Sequence, residues 1–325
     1  MFHKDIRQVF FSFILVFCLL ASCNAKPSTA PTNEPSATSV ITATSTYMPT
    51  ITFTPLPTAT TLSFNNTEDL VKGFADAWVS QDPNKILSFY SKDIKAYDAG
   101  AYGEVYSYAD VNSFLKSYVQ YGAITLDIYS YFVSDDDQLV ALLGIWTEKS
   151  SSVSPITPVV SLIELKEGLV IWEYDYYGGS WSDVYPLPDV SATLNMPTGS
   201  TDQVIAETKA MLTDWETAYN NRDSQTFISY YSDQTTCTYI ISPEWKILSK
   251  DRLKEVIDST FNDTAIDTSL DNFFISKDGH YAAVQGMYID ANSIHKPMII
   301  LLRIDNSRIV EQYVYAKNSL GMIDK

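Results

Sequence analysis

Basic residues are scarce in this chain of 325 residues: 22 Lys and Arg stand against 39 Asp and Glu, a net charge of −17. Nucleic-acid binding depends on cationic neutralisation of phosphates, so the balance argues against it. It argues equally against electrostatic docking on anionic lipid. Cysteine is scarcer still. Cys18 and Cys23 sit near the N-terminus and leave Cys237 alone in the rest of the chain, where no internal disulfide can form. Cys237 lies in the strand-like run Thr235-Thr236-Cys237-Thr238-Tyr239-Ile240 and reads as a small buried hydrophobe, not a nucleophile. Histidine occurs at positions 3, 280 and 295 alone. The long stretch between His3 and His280 can therefore host neither a histidine-based triad nor a His-rich zinc site. His280 and His295 both read as exposed turn residues. There is no P-loop, dinucleotide-binding glycine motif or metal-spaced cluster, so no cofactor and no metal are expected.

What is present begins with a leader. Lys4 and Arg7 precede an almost wholly apolar run over 9–20, too short to span a bilayer as a folded helix. The run ends Leu20-Ala21-Ser22-Cys23, which resembles the bacterial lipobox. That resemblance implies a signal peptide over 1–22, acylation of Cys23, and a chain anchored to the bacterial membrane by its lipid on the extracytoplasmic side. Residues 23–66 are rich in Ser, Thr and Pro with hardly a charge, too polar to offset ordering entropy by burial, and read as a disordered tether.

Beyond the tether the sequence writes itself twice. Ala77-Trp78-Val79-Ser80-Gln81-Asp82 is answered by Ala218-Tyr219-Asn220-Asn221-Arg222-Asp223, and Phe89-Tyr90-Ser91 by Tyr230-Tyr231-Ser232, always 141 residues on. Asp251 matches Asp110 at the same spacing, Phe274-Ile275-Ser276 matches Phe132-Val133-Ser134 at 142, and Tyr313 and Tyr315 match Tyr174 and Tyr176 at 139. Two domains follow, 67–188 and 200–325, joined by a linker over 186–199.

In the first copy Leu70, Val71, Phe74, Ala77 and Trp78 recur at helical spacing, with Thr67 as the helix start. Asp82-Pro83 ends that helix and opens a second, whose apolar face runs through Ile86, Leu87, Phe89 and Tyr90. A short strand over 94–98, a Gly- and Tyr-rich loop and a third helix over 109–121 come next. The period then changes to two, and strands are expected over 124–134, 139–149, 159–166 and 169–177. The order indicates an α+β fold: tandem cone-shaped domains, each with about three N-terminal helices packed on a curved, mostly antiparallel sheet.

This order, with Phe74-Ala75-Asp76-Ala77-Trp78, Phe89-Tyr90-Ser91-Lys92-Asp93-Ile94 and the closing Gly168-Leu169-Val170-Ile171-Trp172-Glu173-Tyr174-Asp175-Tyr176-Tyr177, resembles the nuclear transport factor two-like superfamily. The closing run is similar to the last strand of its SnoaL-like and limonene-epoxide-hydrolase-like members. The resemblance implies a pocket between helices and sheet, with Asp175, Glu173 and Tyr177 toward it. Asp175 and Asp98 are then the catalytic candidates, and Trp78, Tyr97, Tyr131, Trp146, Glu173 and Tyr177 the candidate ligand-binding residues. A carboxylate on such a wall would have its pKa raised by desolvation and could act as a general base. The opposite assignment, aromatics inward and acids in solvent, is open from alternation alone.

The second copy lacks all three acids: Gln312, Val314 and Tyr239 stand where Glu173, Asp175 and Asp98 do. Three functions remain. A surface lipoprotein would bind a small apolar or aromatic ligand, or an envelope protein. An isomerase- or hydrolase-like enzyme would work in the first domain alone. A structural module would associate through its sheets, between the domains or between copies.

Overall fold

The computed structural model describes residues 66–98, 104–149, 156–177, 202–241, 244–289 and 295–316. The expected leader, Cys23, almost all of the tether and the linker over 186–199 lie outside them, as does the His295 side chain. The first repeat comprises α1 (Thr67–Ser80), α2 (Pro83–Leu87), β1 (Tyr90–Asp98), β2 (Glu104–Ser107), α3 (Tyr108–Phe114), β3 (Ile124–Val133), β4 (Leu139–Glu148), β5 (Ile156–Lys166) and β6 (Leu169–Tyr177). The second comprises α4 (Asp202–Asn220), α5 (Ser224–Ser229), β7 (Tyr231–Ile241), β8 (Glu244–Ser249), α6 (Lys250–Asn262), β9 (Asp267–Ile275), β10 (Tyr281–Ile289), β11 (His295–Asp305) and β12 (Arg308–Ala316). Each repeat is α+β, with its helices on a six-stranded sheet ordered β2-β1-β6-β5-β4-β3 or β8-β7-β12-β11-β10-β9. Among the described strands only β1–β6 and β7–β12 pair parallel; the other pairings are antiparallel.

The duplication reaches the backbone. α1 starts at Thr67 as expected, and Asn66 caps it by accepting from Asp69 N at 2.8 Å. Gln81 then turns left-handed with φ 55°, and Arg222 does so at the same place with φ 57°. Asp82 and Asp223 follow as N-caps, accepting from Asn84 N and Thr226 N. A short polar side chain at that position satisfies helix-end amides that have no carbonyl within the helix. Asp137 at φ 64° is likewise matched by Gly279 at φ 73°.

Several local features differ from the sequence expectations. Tyr90 does not continue the second helix; it opens β1 and pairs with Val170. The loop before the third helix contains β2, an edge strand of four residues whose short run carries little period-two signal. The third helix begins at Tyr108 and widens into a π-helical turn at Leu115–Val119. Its cap also revises the alignment. Ser107 and Ser249 are the matching N-caps, 142 apart, which sets Asp110 against Arg252 and not against Asp251. His280 is half-buried, with Nδ1 at 3.1 Å from the Ile304 carbonyl oxygen, and is not an exposed turn residue.

Strand alternation gives each sheet two apolar faces. One face of each sheet packs on its own helices: Phe74, Trp78, Leu142 and Ile163 in the first repeat, Trp215, Phe227, Leu253 and Ile304 in the second. The other faces share one core, in which Phe132, Leu143, Val160 and Tyr176 join Tyr281, Ile299, Leu301 and Tyr315. The junction has the symmetry of the duplication. Ser134 bridges Ser276, Asp135 N–H donates to the Ile275 oxygen at 3.1 Å, and Lys277 N–H donates to the Val133 oxygen at 3.1 Å. Phe132 meets its own counterpart, Phe274, at 5.5 Å between ring centroids. Each contact joins a residue to its equivalent or exchanges roles across the pair, the isologous arrangement of a two-fold dimer.

Candidate functional site

On β6, residues Glu173, Asp175 and Tyr177 share one face, and Tyr177 packs into the helix-side core. Trp172, Tyr174 and Tyr176 take the other face; Tyr174 and Tyr176 belong to the core shared with the second sheet. Register then brings a polar row together. Asp175 lies between Asp98 on β1 and Ser161 on β5. Ser161 Oγ donates to Asp175 Oδ1. Tyr131 extends the row across β3, beyond Leu142.

Glu173 is 6 % exposed. Burial pushes its carboxyl up to about 7, opposed by a hydrogen bond with the Tyr90 hydroxyl. Asp175 is hemmed in as tightly yet keeps accessible surface, as a wall position does. Burial, then the charge on Glu173, holds its carboxyl well above the usual range; the Ser161 bond acts the other way, and Asp98 adds to the rise. The Tyr177 phenol is raised by burial and by Asp175, Asp98 and Glu173. Trp146 stacks on Phe114 at 5.8 Å and meets Trp78 at 6.1 Å and Tyr177 at 6.3 Å.

Among the candidates read from sequence, Asp98, Asp175, Glu173, Tyr177, Trp78, Trp146 and Tyr131 lie on or against the helix-side face. Tyr97 does not. One residue before Asp98, it points to the opposite face and packs on Tyr174 at 5.2 Å, so it is removed from the site. Two participants were missed. Ser161 is the one polar residue in Val159-Val160-Ser161-Leu162-Ile163, and that interruption was the available signal. Tyr90 was hidden by its assignment to a helix.

The second repeat shows the same positions filled. Ile300, Val314 and Tyr239 form the row equivalent to Ser161, Asp175 and Asp98, again as register neighbours. Val314 and Ala316 are both 4 % exposed, whereas Asp175 and Tyr177 are only part-buried. Trp146, Ile128, Val111 and Phe114 are also part-buried; their counterparts Tyr288, Leu270, Leu253 and Val256 are buried. The difference is confined to the first part of the helix: the turn that follows α3 buries Leu115 and Val119 as α6 buries their counterparts Ile257 and Phe261. One constellation survives in both copies: Tyr231 donates to Gln312 Oε1 at 2.5 Å where Tyr90 meets Glu173. Among the described residues no group of His, Cys, Asp and Glu is arranged to hold a metal ion.

No family profile and no curated protein matches the chain. Solved structures similar to it each span little more than a third of its length, about one repeat. A nuclear transport factor two-like protein of unknown function from Mesorhizobium loti is 14% identical over 38% of this chain and 98% of its own, with a TM-score of 0.32. A second such protein, from Cytophaga hutchinsonii, is 12% identical over 37% and 94%, at 0.28. A steroid delta-isomerase from Pseudomonas aeruginosa is 16% identical over 36% and 84%, at 0.31.

Proposed function

We propose that the first repeat binds a small ligand with an apolar or aromatic body between α3 and the helix-side face of its sheet, and that the second repeat is its scaffold. One observation carries this: the first repeat keeps accessible surface at Val111, Phe114, Ile128, Trp146, Asp175 and Tyr177, where the second is sealed. Two copies of one fold do not need different packing for stability alone. A helix whose apolar side is only half covered leaves area that a ligand can bury, at ~25 cal/mol per Å². The neutral apolar dye Nile red tests it. Its fluorescence should rise on binding, and Phe114→Ala should weaken that binding severalfold while Val256→Ala leaves it unchanged. Equal behaviour of the two variants would refute the assignment to the first repeat.

A second reading has its own support. Asp175 and Glu173 are crowded carboxyls held above their usual range, with Asp98 beside Asp175 in register, which suits proton transfer in an isomerase- or hydrolase-like reaction. Turnover that Asp175→Asn abolishes, with ligand affinity kept, would favour it.

The setting belongs to the same proposal: a lipoprotein held on the extracytoplasmic side through Cys23, meeting its ligand or an envelope partner there. Leu20-Ala21-Ser22-Cys23 supports this reading. Metabolic labelling with a fatty acid should mark the wild-type protein and not Cys23→Ala; label retained on the variant would end it.

A further inference from the structure

Resting on the reading that the first repeat takes a small ligand, we propose that this ligand is a single-chain amphiphile, its alkyl chain laid along a file of rings from Tyr177 to Tyr118 and its polar end outermost.

The rings of the file touch in succession. Tyr177 on β6 meets Trp146 on β4 at 6.3 Å between ring centroids, Trp146 stacks on Phe114 of α3 at 5.8 Å, and Phe114 meets Tyr118 at 5.5 Å. Exposure grows toward one end. Tyr177, Trp146 and Phe114 are half-buried, and Tyr118 is 46 % exposed. Accessible apolar surface therefore leads from the wall beside Asp175 out to solvent. In the second repeat the matching positions hold Ala316, Tyr288, Val256 and Thr260, one ring where the first repeat has four. Thr260 turns its hydroxyl back on the Val256 carbonyl oxygen at 2.9 Å, within its own helix.

The backbone supplies a second, independent observation. Tyr118 lies within the π-helical turn, where Gln120 N–H donates to the Leu115 carbonyl oxygen at 2.9 Å. α6 runs through the equivalent residues as regular α-helix. Such widened turns are rare and concentrate at functional sites. Here Leu115 and Val119 hold the turn in the core, and Tyr118 between them carries the file outward.

Shape decides the class of ligand. A protein partner needs a broad patch, about 800 Å² on each side. On this helix Tyr118 is flanked by exposed Lys116, Ser117 and Gln120, so the apolar track is narrow. A narrow track suits a chain, which gains stabilisation methylene by methylene. Direction follows from the two ends. At the inner end Asp175 Oδ1 already accepts from Ser161, and the outer end opens to water, so the tail lies inward and the polar end at Tyr118.

Calorimetry on the full chain with 1-hexanol, 1-octanol and 1-decanol tests it, since these probes are neutral and differ in length alone. Affinity should rise about fourfold for each methylene added, through decanol. Tyr118→Ala should weaken decanol severalfold and leave hexanol unchanged, because the shorter chain ends before Tyr118. The residue is well exposed, so the variant keeps the fold. A gain that stops at octanol, or a variant that treats hexanol and decanol alike, overturns the chain assignment while leaving the ligand reading intact. Nile red bound where no alcohol binds does the same. Failure of the alcohols and of Nile red together overturns both.

Discussion

Glu173→Gln is expected to stabilise the protein at pH 8 by up to roughly 3 kcal/mol, the worth of moving one carboxyl from 4.5 to about 7. The sign follows from where the proton is bound. Glu173 holds its proton more tightly folded than unfolded, so the folded state binds more protons between those values. Stability from this group is therefore complete below about 4.5, falls as pH rises, and is lost by about 7. Asp175 is shifted in the same direction and adds to the slope. Glutamine cannot ionise, so the difference between variant and wild type should be small at pH 4.5 and largest at pH 8. Denaturant unfolding at the two pH values measures it. The chain already contains the substituted form: Gln312 occupies the matching position and accepts from Tyr231 at 2.5 Å. Its amide also has a partner in Cys237, where the first repeat has Ala96, so the gain in the first repeat should approach the upper figure without exceeding it. A variant no more stable than wild type at pH 8 would mean that the Glu173 carboxyl is not desolvated.

Val314→Asp is the converse change and should cost about 3 kcal/mol or more at neutral pH. Val314 is 4 % exposed in the helix-side core, beside Ile300 and Tyr239 in register. Nothing there replaces Ser161, which supports the carboxyl of Asp175 in the first repeat. Tyr239 is already engaged with Cys237, and its phenol is pushed well up by burial. The new acid must be buried neutral or force the packing apart, so the loss should lessen toward pH 4.5. Unfolding midpoints across pH report both effects. A loss below about 1 kcal/mol at neutral pH would show that the second repeat has room for a polar row like that of the first.

The spacing of 141 residues was legible because both copies need the same αL turn and Asp cap, and those demands fall on a few identifiable residues, Asp82 and Asp223 among them. Alternation likewise separated Glu173, Asp175 and Tyr177 from Trp172, Tyr174 and Tyr176. It could not say which set faced the helices, since both faces of this sheet are apolar and both are covered. Tyr97 was misplaced for that reason: an aromatic beside Asp98 fits either a wall or a joint between sheets. Ser161 became a partner of Asp175 only through β5–β6 register, which pairs residues 14 apart in sequence.

By itself, then, the sequence determined the α+β class, the duplication, the caps and turns that punctuate it, and the loss of three acids from the second copy. These are local or periodic properties, set by the backbone chemistry of single residues and by side-chain direction along one element. Tertiary structure alone decided that the back faces of the two sheets share one core, and that Asp98, Asp175 and Ser161 form a row. It also decided that Val111 and Phe114 of α3 stay half-covered where Leu253 and Val256 of α6 are buried. Each of those depends on strand register and on which surface meets which, and register between distant strands is fixed by packing that no single stretch contains.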